Sequence, residues 1–334
     1  MRLVISILMT VASLQAAAQR PQQDTDFKLQ GFEQVAITST TCTGFYKTPS
    51  FICSPVSVPG YIARAANGSH TALIIVSPGA GGLDRRHSDY ASQLAANGMN
   101  ALVLDHWTAR GMRDADGDYQ KSRAKGGDAV NYAIDVLAAT SQLKADPTWA
   151  DTRLGYLGES MGGSAAINVT RPYIESIVVD QLNRVVHNLD VVVALYPGCI
   201  DRNSIERFKQ VPLLILVGEK DDQAPPALCQ RQTDWMNQRG GQVEIQKVPD
   251  AYHDFDAPYG LKRIGAENTS RCGNTRIGDK FVLDSNGKEY AGTPEGFRAM
   301  REDCKSRGHM SGNQGNLRLG YDIWTEYLAK HLLP

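Results

Sequence analysis

Gly158-Glu159-Ser160-Met161-Gly162 sets a serine between two glycines at the spacing G-x-S-x-G, and Gly163 follows directly. A serine hydroxyl is a weak nucleophile until a base takes its proton. It must therefore be presented sharply and brought to a partner. The glycines serve the first need, because they remove Cβ atoms from a tight strand-to-helix turn that exposes Oγ at the start of the helix. Five residues alone are a weak signal. The flanks strengthen it: residues 153–157 read as a strand, and 160–169 read as a helix whose Gly162, Gly163 and Ser164 let it pack closely on a sheet. Glu159 reads as a choice of packing or polarity.

Turns of this kind find their partners in the chain order serine, acid, histidine. Histidines stand at 70, 87, 106, 187, 253, 309 and 331, and only the last three follow a suitable acid. His331 is near the end of a closing helix and His309 is in a polar insertion. His253 follows an expected strand over 242–248 by five residues, at the sheet edge where sites form in open α/β folds. The acid should follow the preceding strand, expected over 212–217. Asp221 and Asp222 compete there; the spacing from Gly218 and to Pro225 favours Asp221, with Asp222 as a solvated neighbour and Asp201 as an outside candidate. The chemistry would be acyl transfer: Ser160 attacks, His253 carries the proton, and Asp221 orients the imidazole. No Cys-x-x-Cys or Cys/His cluster is present, so no metal is expected, and the chemistry needs no organic cofactor.

The elements that must position these groups alternate from about residue 60. Strands are expected over 61–65, 71–77, 100–105, 153–157, 191–196, 212–217 and 242–248. Helices are expected over 87–97, 129–143, 160–169, 227–238 and 321–332. Leu73-Ile74-Ile75-Val76 is a continuous apolar run, as in a sheet covered on both faces. The alternation predicts an α/β fold with a doubly wound, mostly parallel sheet in one domain over 19–334. Residues 172–188 and a polar, Gly-rich insertion over about 259–315 interrupt the pattern; a long loop of that kind is usually functional.

The chain has 334 residues, 35 Lys+Arg against 36 Asp+Glu, a net charge of −1, and 42% hydrophobic and 21% charged residues. These values exclude a disordered chain, a nucleic-acid binder driven by bulk charge and a polytopic membrane protein. Residues 1–18 combine Arg2, a short apolar run and Ala16-Ala17-Ala18, the pattern of a signal peptide. Cleavage would leave a secreted or periplasmic protein with no membrane anchor. The even set Cys42, Cys53, Cys199, Cys229, Cys272 and Cys304 suits an oxidising compartment. Six cysteines allow fifteen pairings; sequence neighbours, 42–53, 199–229 and 272–304, are favoured.

Several pieces in order carry a resemblance. They are Ser77-Pro78-Gly79-Ala80-Gly81-Gly82-Leu83, Asp105-His106-Trp107-Thr108-Ala109-Arg110-Gly111, the turn at Ser160, Tyr196-Pro197-Gly198-Cys199, Gly218 to Pro225 with Cys229, and Ala251-Tyr252-His253-Asp254-Phe255-Asp256. Together they resemble the dienelactone hydrolase family of α/β-hydrolases over roughly 60–258 and the last helix. The resemblance implies the α/β-hydrolase fold and an acyl-enzyme route on a small-molecule ester or lactone. It also implies an oxyanion hole from the backbone N–H groups of Met161 and Ala80. Founding members use cysteine where this chain has Ser160, and many relatives carry histidine at the position of Pro78. Cys199 and Cys229 resemble the secreted branch, where their bridge would stiffen the loop bearing Asp221. Trp107 is a candidate wall of the acyl pocket, against plain packing. Arg110 is a candidate for a substrate carboxylate, against a structural ion pair. Two other readings stay in competition: a peptidase of the prolyl-oligopeptidase type, and a non-catalytic binding protein on the same scaffold.

Overall fold

The computed structural model describes residues 31–46, 48–112 and 119–334. The leader expected over 1–18 lies outside them. Apolar strands organise the fold. β3 (Ala72–Ser77) is buried throughout, as are β4 (Asn100–Leu104) and β6 (Val191–Leu195). Along β3, Leu73 and Ile75 enter one core while Ile74 and Val76 enter the other. This period-two division is what a sheet covered on both faces requires.

Among the described residues the main sheet has eight strands, in the order β1-β2-β4-β3-β5-β6-β8-β9. It is completed by β1 (Glu33–Thr43), β2 (Ile52–Ala63), β5 (Arg153–Glu159), β8 (Pro212–Gly218) and β9 (Gln242–Val248). From β4 to β9 the neighbours are parallel; β2 runs antiparallel to both β1 and β4. Two short helices, α2 (His106–Ala109) and α3 (Tyr119–Ala124), follow β4; one face of the sheet carries α4 (Ala129–Ala145), α5 (Met161–Asn168), α6 (Pro172–Leu182) and α7 (Pro226–Asn237). The other carries α1 (Arg85–Ala96) and α9 (Leu317–Leu332), where Trp324 is wholly buried against Tyr90. This is the α/β-hydrolase architecture. Among the described residues, no helix is long and apolar enough to cross a membrane.

Three features depart from the sequence reading. The β1–β2 hairpin extends to residue 33, with Cys42 opposite Cys53. Pro55 and Pro59 argue against a strand there, but they lie before the β4 ladder, which pairs from Gly60 onward; at Pro59 it is the carbonyl that is used on that side, accepting the Asp105 N–H at 2.8 Å. Residues 172–188 contain α6, started by Pro172 at its first position. The insertion is not a structureless loop. β10 (Lys262–Asn268) pairs with β14 (Ser306–Ser311), while β11 (Asn274–Ile277), β12 (Lys280–Leu283) and β13 (Glu289–Ala291) precede α8 (Pro294–Cys304). A short strand from the core, β7 (Asp201–Asn203), completes the sheet β13-β12-β11-β7. A small core of Phe281, Leu283 and Met300, with Phe45 and Phe297 against it, sits around the Cys272–Cys304 bridge. All three disulfides join the favoured neighbours, 42–53, 199–229 and 272–304.

Candidate active site

Strand register decides what meets at the carboxyl edge of the sheet. Ser77 is opposite Gly158, and Glu159 is opposite Leu195. The loop after β3 therefore lies beside the turn after β5. Gly218 is opposite Val248, which sets the loops after β8 and β9 side by side.

Ser160 adopts φ +47° and ψ −101° between β5 and α5. Such a conformation costs a non-glycine residue about 1–3 kcal/mol and persists only where the surroundings enforce it. Close backbone approach is the enforcing element. A Cβ on Gly158 would lie 2.1 Å from the Gly162 carbonyl oxygen, and one on Gly162 would lie 2.5 Å from that of Ser77. Tyr196, Cys199 and Asp254 also have positive φ, so strained backbone gathers around this edge.

Ser160 Oγ lies 3.1 Å from His253 Nε2, and His253 Nδ1 lies 2.9 Å from Asp221 Oδ2. The carboxylate acceptor selects the Nδ1–H tautomer of the neutral ring, which leaves Nε2 free to accept the serine proton. Asp221 Oδ1 accepts the backbone N–H groups of Gln223 and Ala224, at 2.8 and 2.7 Å. These bonds hold the carboxylate facing the ring. Burial alone would lower the His253 pKa. The Asp221 charge and hydrogen bond, then Asp254 and Glu159, outweigh it and raise the imidazole to about 9.

Asp222, expected as a solvated neighbour, instead accepts the Met310 N–H through Oδ1 at 2.9 Å. Its carbonyl takes Asn268 Nδ2 at 3.0 Å. Gly312 N–H donates to the His253 carbonyl at 2.9 Å, and Ser311 bridges to His253. The insertion thus braces both the acid loop and the histidine loop. His309, from β14, is buried with its ring edge-on to His253 at 5.4 Å. Asp201 is turned to Asn274 at 2.7 Å and belongs to the insertion sheet.

A cavity of about 1940 Å³ opens over Ser160 and His253. Ala80, Met161 and Trp107 line it. Arg110 does not. Its guanidinium is buried and forked onto Asp135, at 2.8 and 3.0 Å, which is the structural ion pair. Asp135 also faces His106 Nδ1 at 2.6 Å, and His106 Nε2 meets Ser77 Oγ at 2.9 Å. Burial opposes charge on Asp135, but Arg110 and the His106 hydrogen bond hold its carboxyl down at about 2. This network supports the strand end that leads into the Gly79–Ala80 loop.

A second buried network surrounds Glu159. Arg86 pairs with Glu159, Asp84 (2.9 Å), Asp254 (3.1 Å) and Asp256 (3.5 Å). Tyr196 Oη lies 2.8 Å from Glu159 Oε2 and 2.6 Å from Asp256 Oδ1. Burial, partly offset by Arg86, raises the Asp256 carboxyl to about 6. Glu159 is therefore far more than a polarity choice. Asp84-Arg85-Arg86-His87, a charged run directly after a glycine-rich loop, was the available sequence signal for its partner.

The sequence model of the dienelactone hydrolase family matches residues 58–273. Protein bem46 of Schizosaccharomyces pombe (strain 972) is 25% identical over 171 residues, 47% of this chain and 54% of that protein, so the match spans about half of that relative. Among solved structures, a dienelactone hydrolase-like promiscuous phosphotriesterase from metagenomic libraries superimposes with a TM-score of 0.53 at 14% identity, covering 89% of this chain and 98% of that one. Esterase 2 of Thermogutta terrifontis, phosphoramylated by tabun, gives a TM-score of 0.52 at 13% identity, covering 93% and 99%. At such identities the structural likeness speaks for the fold, and the family match, over more than half of the chain, supplies the rest: this protein belongs to the dienelactone hydrolase family.

Proposed function

We propose that this chain is an exported serine hydrolase that cleaves carboxylic esters or lactones through an acyl-enzyme. The carrying observation is the hydrogen-bonded line from Ser160 through His253 to Asp221, opening onto one cavity from a strained turn. His253 Nε2 takes the hydroxyl proton as Ser160 Oγ attacks the carbonyl carbon. The tetrahedral oxyanion is received by the N–H groups of Ala80 and Met161, neither of which has an acceptor within the described protein. One such donor contributes about 3 kcal/mol to the transition state. Collapse expels the alcohol, which takes the proton from His253. Water then repeats the sequence on the acyl-serine and releases the acid. Three disulfides support the export reading, since such bonds persist in oxidising compartments.

The test is labelling by a fluorophosphonate, with the modified residue located by peptide mass analysis, alongside a screen of neutral esters and lactones. Wild type should label at Ser160 and turn over esters. Ser160→Ala should remain folded, lose the label and lose about 10⁶-fold in kcat. Labelling at another serine would sink the assignment. Turnover of aminoacyl anilides at rates matching esters would move the reading to a peptidase.

A further inference from the structure

Glu159 stands next to the nucleophile, where an uncompensated buried carboxylate would oppose the anionic transition state. Its surroundings show how it is used. Oε1 accepts the Gly79 N–H at 2.8 Å, and the position of a Cβ on Gly79 lies 3.2 Å from both Oε1 and Ser160 Cβ. The loop after β3 thus rests on Glu159 and on the nucleophile at once. A second tie, from Gly162 N–H to the Pro78 carbonyl at 3.1 Å, holds the same loop from the other side. With the Gly79 N–H engaged, the next N–H, that of Ala80, is left for a ligand.

Arg86 meets Glu159 from the helix that begins just after this loop. The same guanidinium reaches Asp254 and Asp256, which follow His253 in the chain. Resting on the serine-hydrolase reading above, we propose that Arg86 and Glu159 are a pair of positioning residues. Glu159 sets the oxyanion loop by holding the Gly79 N–H. Arg86 cancels the Glu159 charge and locks that loop to the segment carrying His253.

The experiment compares wild type with Glu159→Gln, Arg86→Lys, Arg86→Met and the double variant Arg86→Met/Glu159→Gln. Readouts are kcat and KM on a neutral p-nitrophenyl ester, and Ki for an alkyl trifluoromethyl ketone, whose serine adduct carries the oxyanion. Glu159→Gln keeps an oxygen for Gly79 and loses the charge; it should lower kcat about 10-fold, with KM nearly unchanged. Arg86→Met takes the guanidinium from the buried Glu159 carboxylate, leaving it the longer contact to His87 Nε2 at 3.4 Å as its cationic partner, and should cost about 100-fold in kcat, with the ketone Ki rising in parallel. The double variant should recover to the level of Glu159→Gln, and Arg86→Lys should retain more activity than Arg86→Met.

Folded variants with wild-type kcat and ketone affinity would overturn the proposal. So would losses that vanish once rates are normalised to active sites titrated by fluorophosphonate, the mark of a purely structural role. If Arg86→Met does not fold, Glu159→Gln and Arg86→Lys decide: wild-type kcat and Ki in both overturn it. Wild type that neither turns over ester nor labels at Ser160 would overturn the hydrolase reading and this pair with it, a result distinct from active wild type with unaffected variants.

Discussion

His253 is held among carboxylates, and its protonation sets the pH range of the proposed reaction. Asp221 from the β8–α7 loop, Asp254 beside it and Glu159 from β5 favour the imidazolium, whereas Arg86 and His309 face the same region from α1 and β14. The net result is an imidazole raised to about 9. Only the neutral ring can take the serine proton. kcat/KM should therefore rise with pH along a limb well above the ordinary 6.5, reach half of its plateau near pH 9 and level off only above that. A pH–rate profile checks this, and a limb at or below 6.5 would contradict it. Legibility at this scale was uneven. Chain order and strand spacing pick out Ser160, Asp221 and His253, the side chains the fold brings within hydrogen-bond reach. They say nothing of the further charges around the imidazole, such as Glu159 from β5 and Arg86 from α1.

At the scale of elements, the insertion decides how firmly the acid and histidine loops are held. β14 takes Asp222 through the Met310 N–H, and Gly312, directly after it, takes His253 through its own N–H. The Cys272–Cys304 bridge, spanning 32 residues, closes the segment that delivers this strand. Opening it by Cys272→Ser/Cys304→Ser should cost about 4 kcal/mol by loop-closure entropy, and opening Cys42–Cys53 should cost about 3. The two should differ in function. The first should lower kcat as well as Tm, because the brace on His253 loosens. The second should lower Tm with a smaller loss of kcat, because its hairpin reaches the cavity wall and the insertion core through Phe45 and does not carry the hydrogen bonds that brace Asp222 and His253. Thermal melts with ester kinetics on both pairs test this, and equal kcat in the two would show that the insertion does not support catalysis.

For the molecule as a whole, the same charges make stability depend on pH. Despite burial, hydrogen bonds and charge from Asp84 and Glu159 raise His87 to about 9, as Asp221 and its neighbours do for His253. A raised histidine stabilises fully below its unfolded value of about 6.5, and that contribution is lost as pH climbs through 9. Asp256, raised to about 6, likewise favours the folded state below about 3.8 and stops doing so as pH passes 6. Asp135, held at about 2, acts in the opposite sense: its stabilisation is present above about 3.8 and lost as pH falls through 2. Tm should therefore be highest near pH 4, decline as Asp256 ionises toward pH 6, and fall further from pH 6.5 to 9 as the two histidines lose their charge, across the window in which activity rises. Melting curves at stepped pH measure this. A Tm that holds level from pH 6.5 to 9 would show that the two histidines are not held in their charged forms.

The sequence by itself determined what is local. Glycine spacing defines the turn at Ser160 and apolar runs define the buried strands, because each depends on residues close in the chain; the even set of cysteines implies bridges, but among fifteen pairings only the fold selects the neighbours. Tertiary structure alone decided the long-range partners. Arg86 meets Asp256 across 170 positions, and Ser77, His106 and Asp135 join from a strand end and two helices. The β1–β2 hairpin and the insertion sheet were hidden for a related reason. Their strands are polar and proline-bearing, or only three to seven residues long, so pairing with a neighbour, not an intrinsic pattern, makes them strands. The role of Glu159 belongs to the same class: a carboxylate's meaning lies in which backbone N–H and which guanidinium the fold brings to it, and here those are Gly79 and Arg86.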